Sequence, residues 1–386
     1  MKMDGATGLT RRAAVAGVAA VLAGCSVVPK TAAPSVPAER APVAVPNEAA
    51  LPTDQTRHRV ALLVPLSGEN AAVGQSVANA TMMALLDTNA DRLRITNYDT
   101  AGEGGARDAA VRAVQDGNSL ILGPLLRENI GPVVTVARSR DVPVISFSND
   151  ADLAGSGVYI MGVSPEQSIR RSVNFARAAG SGSFAALIPE GEYGARAEAA
   201  FQRAVAAAGG RVAAVETYSR GNTSIISAAQ RIKSAGKVDA VFIADTPQLA
   251  ARAARELGSG IQIIGNEMWG GDVAVTQAPA LRGAIFSAVS DARYRQFMTS
   301  YRARFNEAPY RIATLGYDAV LLTLAIGENW RYGRAFPTRV LTDREGFLGL
   351  DGPFRFARNG VVERAMEVRQ VRGSEVVVAD PAPASF

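Results

Sequence analysis

Val60-Ala61-Leu62-Leu63-Val64-Pro65-Leu66-Ser67-Gly68, with Ala72-Val73-Gly74 just behind it, opens the regular part of the chain and decides its fold. Five apolar residues ended by proline read as a strand, and the amphipathic stretch Val73–Asn89 reads as the helix that follows it. In that helix Val73, Val77, Ala80, Met83, Ala84 and Leu86 trace an apolar face, while Gln75, Asn79 and Asp87 lie elsewhere. Its methionines are core fillers on this pattern.

The same alternation runs outward from this unit. Further strands are expected at Leu93–Asn97, Leu120–Leu122, Val142–Ser146, Phe184–Ile188, Val212–Glu216, Ala240–Ile243 and Gln262–Ile264. Helices are expected at Ala106–Gln115, Ile130–Ser139, Pro165–Ala179, Ala195–Ala208, Ser224–Ser234 and Pro247–Leu257. Alternating short strands and helices are the sign of parallel βαβ units, and eight strands exceed one small sheet. Ser164-Pro165-Glu166-Gln167 sets a cap before a proline at the first helical position, soon after the strand-like Val158–Met161, so the first crossing between lobes is expected there. Beyond Ala284–Val289 come helices Ala292–Phe305 and Ile312–Asn329. Phe354–Phe356, Glu363–Val371 and Val376–Ala379 then read as an antiparallel ending, with turns at Gly352-Pro353 and Asn359-Gly360. The expected divisions are 58–162 for the first lobe, 163–284 for the second, 285–331 for a return to the first, 332–379 for completion of the second lobe and hinge, and 380–386 for a tail.

A chain of 386 residues exceeds the roughly 250–300 at which single cores stop growing, so two lobes agree with length as well as pattern. With 48% hydrophobic and 20% charged residues it is an ordinary globular composition. The net charge of +5 is spread over interleaved acids and arginines, so no nucleic-acid partner is expected. The single histidine, His58, reads as a boundary residue and excludes most imidazole chemistry; the single cysteine, Cys25, excludes an intramolecular disulfide. Gly180-Ser181-Gly182 precedes a strand instead of following one and no Gly-Lys-Ser/Thr loop occurs, so a phosphate cradle is not expected. Neither an enzymatic activity nor a metal or other cofactor is expected.

Residues 1–24 carry Lys2, Arg11 and Arg12 ahead of the small apolar run Ala13–Ala23, the pattern of a secretory signal. Leu22-Ala23-Gly24-Cys25 resembles the lipobox of bacterial lipoproteins, which implies cleavage before Cys25 and its lipidation. Loss of residues 1–24 would leave a charge of +3. Thr10-Arg11-Arg12 is similar to a twin-arginine signal, and the export route stays open between that and the general one. Pro29, Pro34, Pro37, Pro42, Pro46 and Pro52 make residues 25–57 a lipidated cysteine and a semi-extended tether, with a reach of about 100 Å. Ser26, where an aspartate would retain a lipoprotein at the inner membrane, resembles the outer-membrane sorting pattern.

Several segments together resemble the type I periplasmic-binding-protein fold of the leucine/isoleucine/valine-binding kind. Besides the opening stretch they are Tyr98-Asp99-Thr100, Ile121-Leu122-Gly123-Pro124-Leu125, Val142-Pro143-Val144-Ile145-Ser146, Tyr193-Gly194 and Gly316-Tyr317-Asp318-Ala319, collinear from about Arg59 to Ala379. The fold implied is α/β and two-lobed, each lobe a mainly parallel sheet flanked by helices, hinged about a central cleft. Ile121–Leu126, Phe147-Ser148-Asn149-Asp150 and Gly346–Phe356 are similar to a lipoprotein group named penicillin-binding-protein activators, whose members are also labelled ABC-transporter substrate-binding proteins.

In open α/β sheets ligands sit beyond the carboxyl ends of strands, so the cleft candidates are Ser67, Gly68, Asp99, Thr100, Ser146, Ser148, Asn149 and Asp245, with Glu267. The resemblance adds Tyr193 as a cleft tyrosine and Glu267 as the acid that pairs with a ligand ammonium. It also exposes a departure. Where relatives hold the ligand carboxylate with hydroxyls and amides, Glu128 and Asp150 fall in register, and an acid there repels a carboxylate unless Arg127 turns inward. Two readings follow. One is a regulator on the outer membrane, anchored through Cys25, that contacts a penicillin-binding protein or other cell-wall synthase in peptidoglycan synthesis. The other is the substrate-binding component of a branched-chain amino acid importer, with a small amino-acid-like ligand and an ABC permease as partners. A third class is a sensor whose ligand closes the cleft and alters affinity for a protein.

Overall fold

The computed structural model describes residues 56–383, and the expected export signal, Cys25 and most of the tether lie outside them. The elements run β1 (His58–Val64), α1 (Ala71–Asp87), β2 (Leu93–Asp99), α2 (Gly105–Gln115), β3 (Ile121–Leu122), α3 (Ile130–Arg138), β4 (Val144–Ser146) and β5 (Val158–Ile160). They continue as α4 (Pro165–Ala178), β6 (Ser183–Pro189), α5 (Glu192–Ala207), β7 (Arg211–Tyr218), α6 (Ser224–Ser234), β8 (Ala240–Ile243), α7 (Pro247–Leu257), β9 (Gln262–Ile264), α8 (Ala274–Gln277) and β10 (Ile285–Ala288). The remainder is α9 (Ala292–Phe305), α10 (Thr314–Gly327), β11 (Phe347–Gly349), β12 (Gly352–Phe356), β13 (Val362–Arg364), β14 (Glu367–Arg372) and β15 (Glu375–Asp380).

The first lobe is built on a parallel sheet in the order β2-β1-β3-β4-β5. Every residue of Val60–Val64 is fully buried, because this strand has a neighbour on each side and helices over both faces. Removing each such aliphatic side chain from water contributes roughly 1.5–3 kcal/mol. The second lobe has seven strands in the order β15-β14-β10-β9-β8-β6-β7. Those from β10 to β7 are parallel, while β14 runs antiparallel to its two neighbours, β10 and β15. A small antiparallel sheet, β11-β12-β13, completes the molecule.

Helix α1 packs on α10 at very short range. A Cβ on Gly316 would lie 2.6 Å from the Val77 carbonyl oxygen, so glycine is what lets these helices approach. On α1 the buried residues include Val77, Ala80, Met83 and Ala84 as expected, but Leu86 is 59% exposed.

Three crossings join the lobes: after β5, after β10, and between β13 and β14. The expected division at 284/285 is corrected, since Ile285 pairs with Ile264 of β9 and with Gln370 of β14, making β10 a strand of the second sheet. The expected assignment of residues 332–379 is divided as well. Phe354, Phe356 and Val362 pack in one buried cluster with Val60, Leu62 and Val64 of the first lobe, and only β14 and β15 join the second sheet. The single strand expected over Glu363–Val371 is broken at Ala365-Met366, where the chain crosses. Gly352-Pro353, expected as a turn, lies in β12; Leu350-Asp351 makes the turn, with Gly349 paired to Gly352.

Candidate functional site: the interlobe cleft

The loops at the carboxyl ends of both sheets face a cavity of about 590 Å³. Its walls are largely apolar: Val73, Leu125, Phe147 and Leu315 from the first lobe, Met268 and Val289 from the second. The polar groups on it include Arg127, Ser148, Asn149, Arg311 and Asp351 from the first lobe and Glu267 from the second.

The ten residues expected at the cleft separate into three sets. Ser148, Asn149 and Glu267 line the cavity, and Tyr193 reaches it through Glu267. Ser67, Gly68, Asp99, Thr100 and Ser146 organise the loops behind it. Asp99 accepts the backbone N–H groups of Leu66 at 2.8 Å and Ala101 at 2.9 Å. Burial pushes its carboxyl up, but these bonds and those from Ser67 outweigh it and hold the group below its ordinary value. Ser146 donates to the Pro124 carbonyl at 2.9 Å and accepts the Ser148 N–H at 3.2 Å. Thr100 is buried with its N–H on the Val64 carbonyl and its hydroxyl without a partner. Asp245 turns into the second lobe, where Tyr218 donates to it at 2.6 Å and Arg220 at 2.8 Å.

Glu267 follows β9 because Asn266 caps a short 3-10 turn over Glu267–Trp269, accepting the Met268 N–H at 3.2 Å. Tyr193 donates to Glu267 Oε1 at 3.4 Å and receives the Asn266 amide at 2.9 Å. Oε2 is out of reach of solvent and has no hydrogen-bond partner. Burial therefore pushes this carboxyl up to about 7, its own backbone N–H and the Tyr193 hydroxyl offsetting only part of the cost.

Asp150 is the residue that sequence reading flagged as an obstacle to a carboxylate, and the structure shows what it does. It is 1% exposed, paired with Arg127 of its own lobe and with Arg196 of α5 at 2.8 Å. Arg127 also reaches Glu192 of α5 at 3.2 Å. The protein's own acid thus occupies the guanidinium groups at the mouth of the cleft, and the pairs of Asp150 with Arg196 and of Arg127 with Glu192 join one lobe to the other.

Sequence reading missed a second ionic cluster at the base of the cleft. Arg311 donates to Asp351 at 2.8 Å and lies 3.8 Å from Asp291, with its guanidinium 4.3 Å from the centre of the Tyr294 ring. Thr314 donates to the other Asp351 oxygen at 2.9 Å. Behind them Arg364, completely buried, lies 3.4 Å from Asp318 and donates to the Met161 carbonyl at 3.2 Å. Burial and the neighbouring Asp351 push the Asp318 carboxyl up, with Arg364 opposing them. Arg364 thereby ties the third crossing to the first. Asp318 and Asp351 both stood in quoted segments, but their arginine partners, Arg364 and Arg311, lie 46 and 40 residues away from them and carry no local signal. Among the described residues no group of acids, histidine or cysteine could hold a metal ion, and no helix is long and apolar enough to cross a membrane.

Two α/β lobes, three crossings and a cleft at the strand ends define a hinged binding protein. The chain belongs to the periplasmic binding protein family, whose model matches residues 58–375. It is 28% identical over 140 residues to an uncharacterized protein of Rickettsia prowazekii, the match covering 36% of this chain and 38% of that one. It is 27% identical over 143 residues to the penicillin-binding protein activator LpoA of Glaesserella parasuis, covering 37% of this chain and 24% of that one. The chain therefore spans well under half the length of these curated relatives. Among solved structures it resembles the leucine binding protein LivK of Thermotoga maritima, with a TM-score of 0.63, 19% identity, and coverage of 84% of this chain and 98% of that one. That likeness is one of fold. Family and fold are those of binding proteins.

Proposed function

We propose that this protein is a regulator of the bacterial cell envelope, anchored to the outer membrane through lipidated Cys25, that acts on a penicillin-binding protein in peptidoglycan synthesis. The observation that carries the reading is the Asp150 network. An importer's binding protein closes because a solute bridges its lobes, and that requires differential affinity of the solute for the closed state. In this chain Asp150 with Arg196, and Arg127 with Glu192, bridge the lobes with the protein's own side chains. The similarity to the LpoA segment supports the same direction. The test is reconstitution with a penicillin-binding protein of the same organism and lipid-linked precursor. Glycan polymerisation is expected to rise when this protein is added; an unchanged rate across a range of protein ratios sinks the reading.

Glu267 favours a second reading, the solute-binding component of an amino-acid importer. A carboxylate oxygen without a partner beside a 590 Å³ cavity is suited to a ligand ammonium. Thermal-shift measurements against free amino acids separate the two. At 100-fold over its dissociation constant a ligand stabilises the fold by about 2.7 kcal/mol. A shift with leucine that Glu267→Ala removes establishes this second reading in place of the first.

A further inference from the structure

The seven-stranded sheet ends on β15, whose sequence Glu375-Val376-Val377-Val378-Ala379-Asp380 pairs with β14 on one side. Among the described residues no strand pairs with its other side. Exposed sheet edges are templates for added strands, and proteins ordinarily guard them with lysine, proline or a covering element. Glu375–Asp380 itself contains neither lysine nor proline; the guards present, Pro381 and the register shift, stand at its far end. The register shift near Ala379 leaves Glu375–Val378 as the regular run.

A groove of about 530 Å³ runs over one face of the sheet, from Phe286 of β10 past Arg369 of β14 to Val378 on the edge strand β15, with the segment around Val273 as its other wall. Val378 is 53% exposed and Val273 68%, two branched aliphatic side chains left in water on the rim of one groove. The groove is acidic. Asp272, Asp291, Glu367 and Glu375 line it against Arg295 and Arg369, and Arg369 is already shared between Asp291 and Glu367. Asp291 also faces Arg311 at 3.8 Å, and Asp380 at the far end of the strand is paired with Arg171 at 2.8 Å, so Asp272 and Glu375 are the surplus acids that select what can lie there.

We propose that β15 and this groove dock an extended segment of a protein partner that alternates apolar with basic residues and adds to the sheet as a further strand. Backbone hydrogen bonds to Glu375–Val378 supply the pairing, the valines the apolar contact, and the surplus acids the preference for lysine or arginine. The proposal rests on the reading of the molecule as a regulator that works through protein contact. Two other occupants fit less well. A second copy pairing antiparallel through β15 sets Glu375 against or beside Asp380, a repulsive arrangement. The chain's own tether is interrupted by Pro29, Pro34, Pro37, Pro42, Pro46 and Pro52, each lacking the N–H a ladder needs.

The experiment measures binding of a fluorescent ten-residue peptide alternating valine with lysine, and of its counterpart alternating valine with glutamate, to the purified protein. Hydrogen exchange locates the contact. The basic peptide is expected to bind about ten-fold tighter than the acidic one, with the preference shrinking in salt. It is expected to protect the Glu375–Val378 amides. Val378→Lys and Glu375→Lys, both at exposed positions, are each expected to weaken binding by about ten-fold while leaving circular dichroism unchanged. Equal binding of the two peptides, protection elsewhere, or variants that bind like the parent overturn the proposal. So does a dimer that Val378→Lys dissolves, or edge protection without peptide that is lost when residues 26–55 are deleted. Polymerisation assays on the same variants keep the two readings apart: stimulation that persists in Val378→Lys discards this surface and leaves the regulator reading intact.

Discussion

Arg127, just beyond β3 in the first lobe, and Glu192, the first residue of α5 in the second, hold their charged groups 3.2 Å apart across the mouth of the cleft. Both are exposed to solvent, which screens the pair and leaves it little weight on its own. Its neighbour Asp150 is a different case. With its carboxylate buried between Arg127 and Arg196, replacing it leaves two guanidinium groups facing each other. Asp150→Asn is expected to cost about 3 kcal/mol in urea unfolding and to enlarge the radius of gyration, whereas Glu192→Gln leaves stability nearly unchanged. If Asp150→Asn is as stable and compact as the parent, the network does not hold the lobes.

Glu267 makes stability depend on pH. Its carboxyl is raised from an ordinary 4.5 to about 7 in the fold, so between those values the folded protein binds more protons than the unfolded chain. The stabilising contribution is therefore complete below about pH 4.5 and is lost as pH rises through 7. Glu267→Gln, which stays neutral, is expected to gain on the parent by on the order of 1–3 kcal/mol between pH 4.5 and 8. Unfolding curves across that range check it, and a stability difference independent of pH contradicts the assignment.

Arg364 and Asp318 are both inaccessible to solvent. Breaking a buried pair from one side strands the remaining charge, so Arg364→Met alone is expected to destabilise by about 3–5 kcal/mol. Asp318→Asn in the same chain is expected to recover part of that loss. A double-mutant cycle measures the coupling, and strictly additive effects would show that the two side chains act separately.

Gly316 tests the contact between α1 and α10. The added methyl of Gly316→Ala would sit 2.6 Å from the Val77 carbonyl oxygen and 2.8 Å from the Thr81 hydroxyl. Overpacking of this kind is expected to cost about 1–3 kcal/mol. Thermal unfolding reads it, and a stabilised variant would mean the helices separate without penalty.

Much of the architecture was legible along the chain because it depends on neighbours in sequence. Helices α6, α7 and α9 begin and end where periodicity and capping placed them, as Pro247 at the start of α7 and Gly258 after it illustrate. Strands β8 and β9 coincide with their apolar runs. Leu86 escaped the rule because a helical stripe identifies a face without saying how far the neighbouring element extends over it.

The candidate site was only half legible. Strand order is not encoded in a strand's own residues, so the lobe to which β10 belongs is set only by its pairing with β9 and β14. Ser67, Asp99 and Ser146 lie at the carboxyl ends of strands as the sequence required, yet Asp99 and Ser146 are spent on loop backbone and Ser67 on Asp99, since the tertiary fold decides which polar group meets a neighbour and which meets the cleft.

The sequence by itself determined that this protein is a two-lobed α/β chain with an acid at position 267 and an acid at 150 in a loop where the resemblance implies hydroxyls, because side-chain identity and local periodicity are properties of the chain alone. The tertiary structure decided what those acids do. It placed Glu267 beside the cavity with one oxygen unpartnered, and it closed Asp150 between arginines separated from it by 23 and 46 residues. Charge interactions act through space over a few ångströms, and only the folded chain sets those distances.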